Sequence, residues 1–591
     1  MEIPSDLILK DPIMSGYHLQ APIYGSDAES IFTVDEALAL AGNNKLYQKR
    51  TAFFLSLQWL VLAFIIQGQS FLFLPPRFLC PDSNNVFFEC PETTACRVEP
   101  PVIDHESTTK TITSEFHLYC AKGYYKSLTQ MLFFTGSNVA ILFFSFISDL
   151  KGRKSTLIFT YTLGAISLLI ARFSINWYML MFFLVFAGIG INPYTSLSFV
   201  LLNEIAGNEF RQMASISLLA TYGFGQLLFI LLAYEFPDWR ILLLYCIAIP
   251  LALQIATFLW ISESPKFLLS KKEFKKAKDV ILKIAKVNKK KMPAFTFKEQ
   301  KDYEIEIKQN LLEKVKEIAT DDNMKQLREP NTSDFNDISV ENPDEDLKKY
   351  HSTFNEIIKN HVDHNDLYLF HKFPLFRQQF QRQKKFYTVF DLLKYKSQLT
   401  HTLIFSLVYF SIYLTYYGLI FSLESIGGNV YISALVQTTA ELIAYLCINC
   451  VIRFLKRRLA LALCLFAQSL ACLLTLEFLN VNQILILAII SRFFVAMALS
   501  IMSVYTAEVY PTTVRSLGIG LTSFFGKFGC AFAPLLGTIF QYTLMLHPMV
   551  SYGIVGTFAG IAALFMKETL GLPLEDEIIE LLKEKAKRTM K

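Results

Sequence analysis

The sequence predicts an all-α polytopic membrane protein with 12 transmembrane helices in two six-helix halves. Three observations predict it. Apolar stretches of spanning length recur along the chain, basic residues cluster between every second pair of them, and charged landmarks of the first half return in register in the second. The composition agrees: of 591 residues, 53% are hydrophobic and 18% charged. That is too few polar side chains to clothe soluble domains of this size, so lipid is the expected solvent for much of the surface.

Residues 1–50 read as a polar cytosolic segment, without the short apolar core and small-residue cleavage site of a signal peptide. Lys45, Lys49 and Arg50 precede the first apolar run and favour a cytosolic amino terminus. The predicted spans are 51–74, 127–148, 156–173, 177–202, 212–236 and 240–262, then 400–421, 431–452, 459–477, 483–506, 516–540 and 548–566. They define an N-terminal half over 51–269, a C-terminal half over 399–568 and a cytosolic tail over 569–591.

The loop 75–126 falls on the extracytosolic side and holds Cys80, Cys90, Cys96 and Cys120. Four cysteines there imply two disulfides in an oxidising compartment, with three connectivities open. A zinc cluster fits less well, because the loop lacks a close Cys-x-x-Cys pair. The segment 270–398 is a cytosolic charged loop. Within it, 271–291 carries ten lysines and reads as a basic helix suited to an anionic leaflet. Residues 298–318 read as a second charged helix, and the acidic stretch 334–346 reads as disordered.

The repeat is visible in charges. Asp149 precedes Glu204 by 55 residues, as Arg453 precedes Glu508; Arg211 and Arg515 follow those glutamates by seven. Glu263 and Glu568 then close the two halves. All sit at span ends on one face, which predicts that Asp149, Arg153, Glu204, Arg211, Glu263, Glu508, Arg515 and Glu568 form a gating network on the cytosolic side. Positive-inside charge alone explains Arg153 and Lys154 but not Asp149.

Inside the spans, an ionised residue costs about 2.5–3.5 kcal/mol near the middle, so each is a functional candidate unless paired or at an end. Glu441, Arg492 and Lys527 qualify. Two simpler readings stand beside that one: Arg492 snorkels outward, and Glu441 and Lys527 neutralise each other. Tyr416 and Tyr417 add aromatic faces and hydroxyls, or ordinary packing.

The turn Ser148-Asp149-Leu150-Lys151-Gly152-Arg153-Lys154 resembles the loop between helices 2 and 3 of the major facilitator superfamily, with Leu150 in place of its first arginine. Glu263-Ser264-Pro265-Lys266-Phe267-Leu268-Leu269 resembles a Pro-Glu-Ser-Pro-Arg-Trp-Leu motif shared by sugar porters and organic ion transporters. Tyr416-Tyr417-Gly418-Leu419, Gly427-Gly428-Asn429 and Thr506-Ala507-Glu508-Val509-Tyr510-Pro511-Thr512-Thr513-Val514-Arg515 look like the organic cation, anion and carnitine transporter family. In the second half, Arg453 to Arg458 keeps a basic pair but has lost the acid and the glycine of the turn.

The resemblance implies the major facilitator fold and alternating-access transport of small organic ions, with no cofactor. It also implies that the position twelve residues after Arg515, here Lys527, is acidic in cation carriers and basic in anion and carnitine carriers. Lysine therefore favours an organic anion or a carboxylate-bearing zwitterion. Lys527, Glu441, Tyr416, Tyr417 and Arg492 are the expected substrate-binding residues.

No phosphate-binding glycine loop, metal-ligand cluster or nucleophile elbow is present, so neither an enzyme nor an ATP-driven pump has support in the sequence. The expected partners are the lipid bilayer and the substrate, with no nucleic acid, and the expected location is the plasma membrane. Two alternatives remain: a non-transporting receptor or scaffold of the same shape, and a sugar porter.

Overall fold

The computed structural model describes residues 30–42, 44–81, 87–90, 92–96, 102–104, 109–206, 208–305, 394, 396–477, 480–510 and 515–569. The acidic stretch 334–346 lies outside them. The second charged helix begins as expected at 298 and is described to 305; its remainder also lies outside.

Among the described residues, twelve helices lie over the twelve predicted spans. The first half comprises α1 (Leu46–Leu72), α2 (Gly123–Lys151), α3 (Arg153–Ala171), α4 (Trp177–Ile205), α5 (Asn208–Glu235) and α6 (Trp239–Trp260). The second comprises α7 (Lys396–Phe421), α8 (Val430–Phe454), α9 (Arg457–Leu473), α10 (Val481–Val509), α11 (Arg515–Thr538) and α12 (Met549–Leu564). Among the described residues, nine helices are long and apolar enough to cross a membrane, and the 16-residue α12 is a shorter apolar helix. Several run past the apolar stretch that marks them, as α4 does to Ile205 and α10 to Val509, because hydropathy marks only the part that meets hydrocarbon.

The halves repeat in packing as well as in sequence. In the first, α1 packs on α5, α2 on α4, and α3 on α4 and α6; in the second, α7 packs on α11, α8 on α10, and α9 on α10 and α12. Between halves, α2 meets α11 and α5 meets α8, the pairing a pseudo-twofold relation generates. Glycines set the closest approaches. Gly526 and Gly529 of α11 leave no room for a Cβ against Tyr409 and Phe410 of α7. The glycines flanking Lys527 thus admit a neighbouring helix.

At one end the loop after α1 folds as a small antiparallel sheet, with 78–81 central between 87–90 and 102–103. Disulfides join Cys80 to Cys90 and Cys96 to Cys120, one of the three open connectivities.

At the other end, helices Val34–Gly42, Pro265–Ser270 and Phe274–Val287 pack together, and strand Ser30–Phe32 pairs parallel with Phe295–Phe297. The basic helix is therefore amphipathic and docked. Phe274, Ala277, Ile281, Ile284 and Ala285 are buried, while Lys275, Lys276, Lys283 and Lys286 are exposed. Asn288 fastens this cap: its Oδ1 accepts from the Tyr47 amide at 2.8 Å, and its Nδ2 donates to Ala41 O at 2.9 Å and Gln48 Oε1 at 3.0 Å.

Candidate functional site

The expected polar residues of the C-terminal half do meet, but not as the simplest pairing has it. Glu441 of α8 and Arg492 of α10 are 0% and 2% exposed and form an ion pair, Nη2 to Oε2 2.5 Å and Nε to Oε2 3.1 Å. The second carboxylate oxygen accepts from the Tyr416 hydroxyl at 2.6 Å and the Tyr445 hydroxyl at 2.9 Å. Arg492 also donates from Nη1 to Tyr416 O at 2.7 Å and lies 3.9 Å over the Tyr416 ring. Every strong hydrogen-bonding demand of the pair is thus met inside the protein, which is what makes a buried ion pair tolerable.

Two expectations are corrected here. Arg492 does not snorkel, because its guanidinium is held on three sides by Glu441 and Tyr416. Glu441 does not neutralise Lys527, because its oxygens are occupied by Arg492 and two tyrosines.

Lys527, half-buried near the middle of α11, has no carboxylate partner among the described residues. Its backbone carbonyl accepts from Asn138 Nδ2 of α2 at 2.8 Å, so the two halves touch at its level. Cys530 lies one turn on, its Sγ 2.7 Å from the same carbonyl. Tyr417 lies against Phe134 of α2 with centroids 5.2 Å apart, and Tyr416 receives Gln226 of α5 at 3.5 Å. Tyr416 belongs to the ion-pair cluster; Tyr417 faces the other half.

The charged span ends gather in two clusters, one per half. In the first, Arg153 pairs with Asp149 at 2.8 Å and with Glu204 at 3.3 Å. Glu263 accepts from the amides of Arg153 and Lys154 at 3.1 and 3.0 Å, capping the amino terminus of α3. Gly152 makes the turn into α3 with φ 106, a conformation costly for other residues.

In the second half, Arg457 pairs with Glu508 at 3.4 Å, and Glu568 accepts from the amides of Arg457 and Arg458 at 3.0 and 3.3 Å. The side chains of Arg211 and Arg515 lie outside the described residues.

Arg457 is a residue that landmark counting passed over. It stands 51 residues before Glu508, as Arg153 stands 51 before Glu204. That spacing was available in the sequence and identifies Arg457 as the counterpart of Arg153, so the second cluster survives the loss of the acid and glycine from its turn.

A family described as sugar (and other) transporter matches residues 102–328. Organic cation/carnitine transporter 2 of Homo sapiens is 26% identical over 486 residues, covering 81% of this chain and 73% of its own. Organic anion transporter 3 of Pongo abelii is 26% identical over 493 residues, covering 82% and 77%. Among solved structures, the xylose transporter of E. coli in a partially occluded inward-open conformation aligns with TM-score 0.54 at 13% identity, covering 89% of this chain and 100% of that one. A D-xylose-proton symporter gives TM-score 0.53 at 12% identity, covering 90% and 100%. At such identities the two xylose carriers speak for the fold alone.

Proposed function

We propose that this chain is a major facilitator transporter resembling the organic cation, anion and carnitine carriers, and that it moves a small organic anion, or a zwitterion bearing a carboxylate, by alternating access. One observation carries the reading. Glu441 is neutralised by Arg492, which leaves the Lys527 ammonium without a carboxylate partner among the described residues where the halves meet. An anionic group entering between them gains a charge-assisted contact, whereas a simple cation is repelled. Lysine acts there as a point charge without the bidentate fork of arginine, so it selects for charge more than for shape.

The two disulfides support an oxidising, extracytosolic surroundings for their loop, which in turn favours cytosolic termini and a plasma-membrane location. The charge clusters then lie on the cytosolic side, where contacts within each half brace it as a rigid body for rocking. The eroded Arg453 turn and the long central segment favour the receptor or scaffold reading, and the ion pair of Arg457 with Glu508 weakens the first of these.

The test is uptake into proteoliposomes of labelled organic anions, carboxylate-bearing zwitterions, organic cations and hexoses, with and without an imposed potential. Saturable accumulation of the first two groups supports the proposal. Carriage of cations alone, or of hexoses alone, overturns it.

A further inference from the structure

The two halves are joined at the disulfide end by polar contacts remote from Lys527. Lys126, in the first turn of α2, pairs with Glu424 in the short helix Leu423–Ile426 after α7, Nζ to Oε2 2.8 Å. Its neighbour Ser127 hydrogen-bonds Thr538 of α11, and Ser70 of α1 donates to Ile420 O at 2.5 Å. Phe71 stacks on Tyr431 of α8 at 5.3 Å.

Glu92 of the disulfide loop sits on top of these contacts, 9% exposed, and its Oε1 accepts from the Cys120 amide at 2.8 Å. The Tyr542 hydroxyl, on the π-helical turn that ends α11, lies beside it in the same cavity. Lys126–Glu424 and Glu92–Tyr542 therefore each tie the first half to the second, and together they line one cavity at this rim.

We propose that these two contacts form the outer latch of the transport cycle, and that proton binding at Glu92 keeps the latch shut. The proposal rests on the alternating-access reading but not on the charge of the substrate. Opening towards the disulfide side must break both contacts, since each spans the halves that separate.

Glu92 is buried among groups from every element packed on it. Those are Glu424 and Lys126, the Tyr542 hydroxyl and the Cys120 amide. Burial, and then the Glu424 carboxylate, hold its pKa above the ordinary glutamate value of 4.5; Lys126, the Cys120 amide and Tyr542 oppose this less strongly. Opening hydrates the carboxyl and returns it towards that ordinary value.

The closed form thus binds the proton more tightly. Its extra stability is fully present below the open-state pKa and is lost as pH rises through the higher closed-state pKa. Acid on the disulfide side favours closure, and neutral pH favours opening. His547 shares the rim, donating from Nε2 to Ser425 O at 3.1 Å, and burial lowers its pKa.

The test uses the full-length chain in sealed vesicles with the disulfide loop outward. Gln130→Cys, one turn deeper in α2 beside the same cavity, reports outward opening through its labelling rate with an impermeant thiol reagent, without any substrate. Lys126→Ala and Glu424→Gln should each raise that rate about fivefold at pH 7, and the charge-reversed pair Lys126→Glu with Glu424→Lys should restore it.

Thiol reactivity itself varies with pH, so rates are compared at each pH with those of Glu92→Gln. The ratio of wild type to Glu92→Gln should rise as pH goes from 4.5 to 7.5. Tyr542→Phe, which removes only the hydroxyl, should speed labelling as an independent check on the second contact. A ratio flat across that range overturns the proton sensitivity. Failure of the reversed pair to restore closure, at unchanged surface expression, overturns the latch. Neither outcome touches the anion assignment, which the labelling does not read.

Discussion

Glu441 and Arg492 stand on neighbouring helices 51 residues apart in the chain and meet as a fully buried ion pair, Oε2 to Nη2 2.5 Å. With Tyr416 and Tyr445 satisfying the other carboxylate oxygen, the pair ties α8, α10 and α7 together and takes no charge from Lys527.

Breaking the pair on one side should be costly. Arg492→Met leaves a buried carboxylate without a counter-ion and should destabilise the protein by about 3–5 kcal/mol, whereas Arg492→Met with Glu441→Leu should recover most of that loss. Thermal unfolding of the purified variants followed by size-exclusion chromatography measures both. A double variant as unstable as the single one would assign the stabilisation to contacts other than the pair.

Substitution at Lys527 should change selectivity more than stability, because its ammonium has no carboxylate partner to strand among the described residues. Lys527→Ala is expected to weaken uptake of an anionic substrate by about tenfold or more, the effect of losing roughly 1.4 kcal/mol or more of binding. Lys527→Asp should reverse the preference towards cations. Paired measurements of KM on anionic and cationic substrates decide it, and unaltered anion affinity in both variants would remove Lys527 from the site.

The charges at the helix ends away from the disulfide loop should separate into bracing and gating roles. Asp149 is 67% exposed and pairs only four residues along its own chain, so Asp149→Asn should cost under about 1 kcal/mol. Glu263→Ala removes the cap of α3 and should cost about 1–2 kcal/mol. If Asp149 also gates, Asp149→Asn shifts cysteine accessibility between the two sides while thermal stability holds. Unchanged accessibility on both sides would restrict Asp149 to a surface contact.

The loop cysteines should be fully oxidised in the pairing Cys80–Cys90 and Cys96–Cys120. Non-reducing peptide mapping reads this directly. Because Cys120 lies three residues before α2, Cys96→Ser with Cys120→Ser should loosen the seat of Glu92 and destabilise the loop by about 2–4 kcal/mol.

The sequence by itself determined the spans, their repetition in two halves and the charged helix ends. Each is written along the chain as hydropathy, as lysine and arginine placement, or as a spacing that recurs, such as the 51 residues from Arg153 to Glu204 and from Arg457 to Glu508. What only the tertiary structure decided is which polar groups meet. Whether Glu441 faces Arg492 or Lys527 depends on how α8, α10 and α11 are rotated about their axes, and in helices apolar on most sides no hydrophobic stripe fixes that rotation. The same holds for Lys126 and Glu424, separated by 298 residues and brought together only when the two halves close on each other.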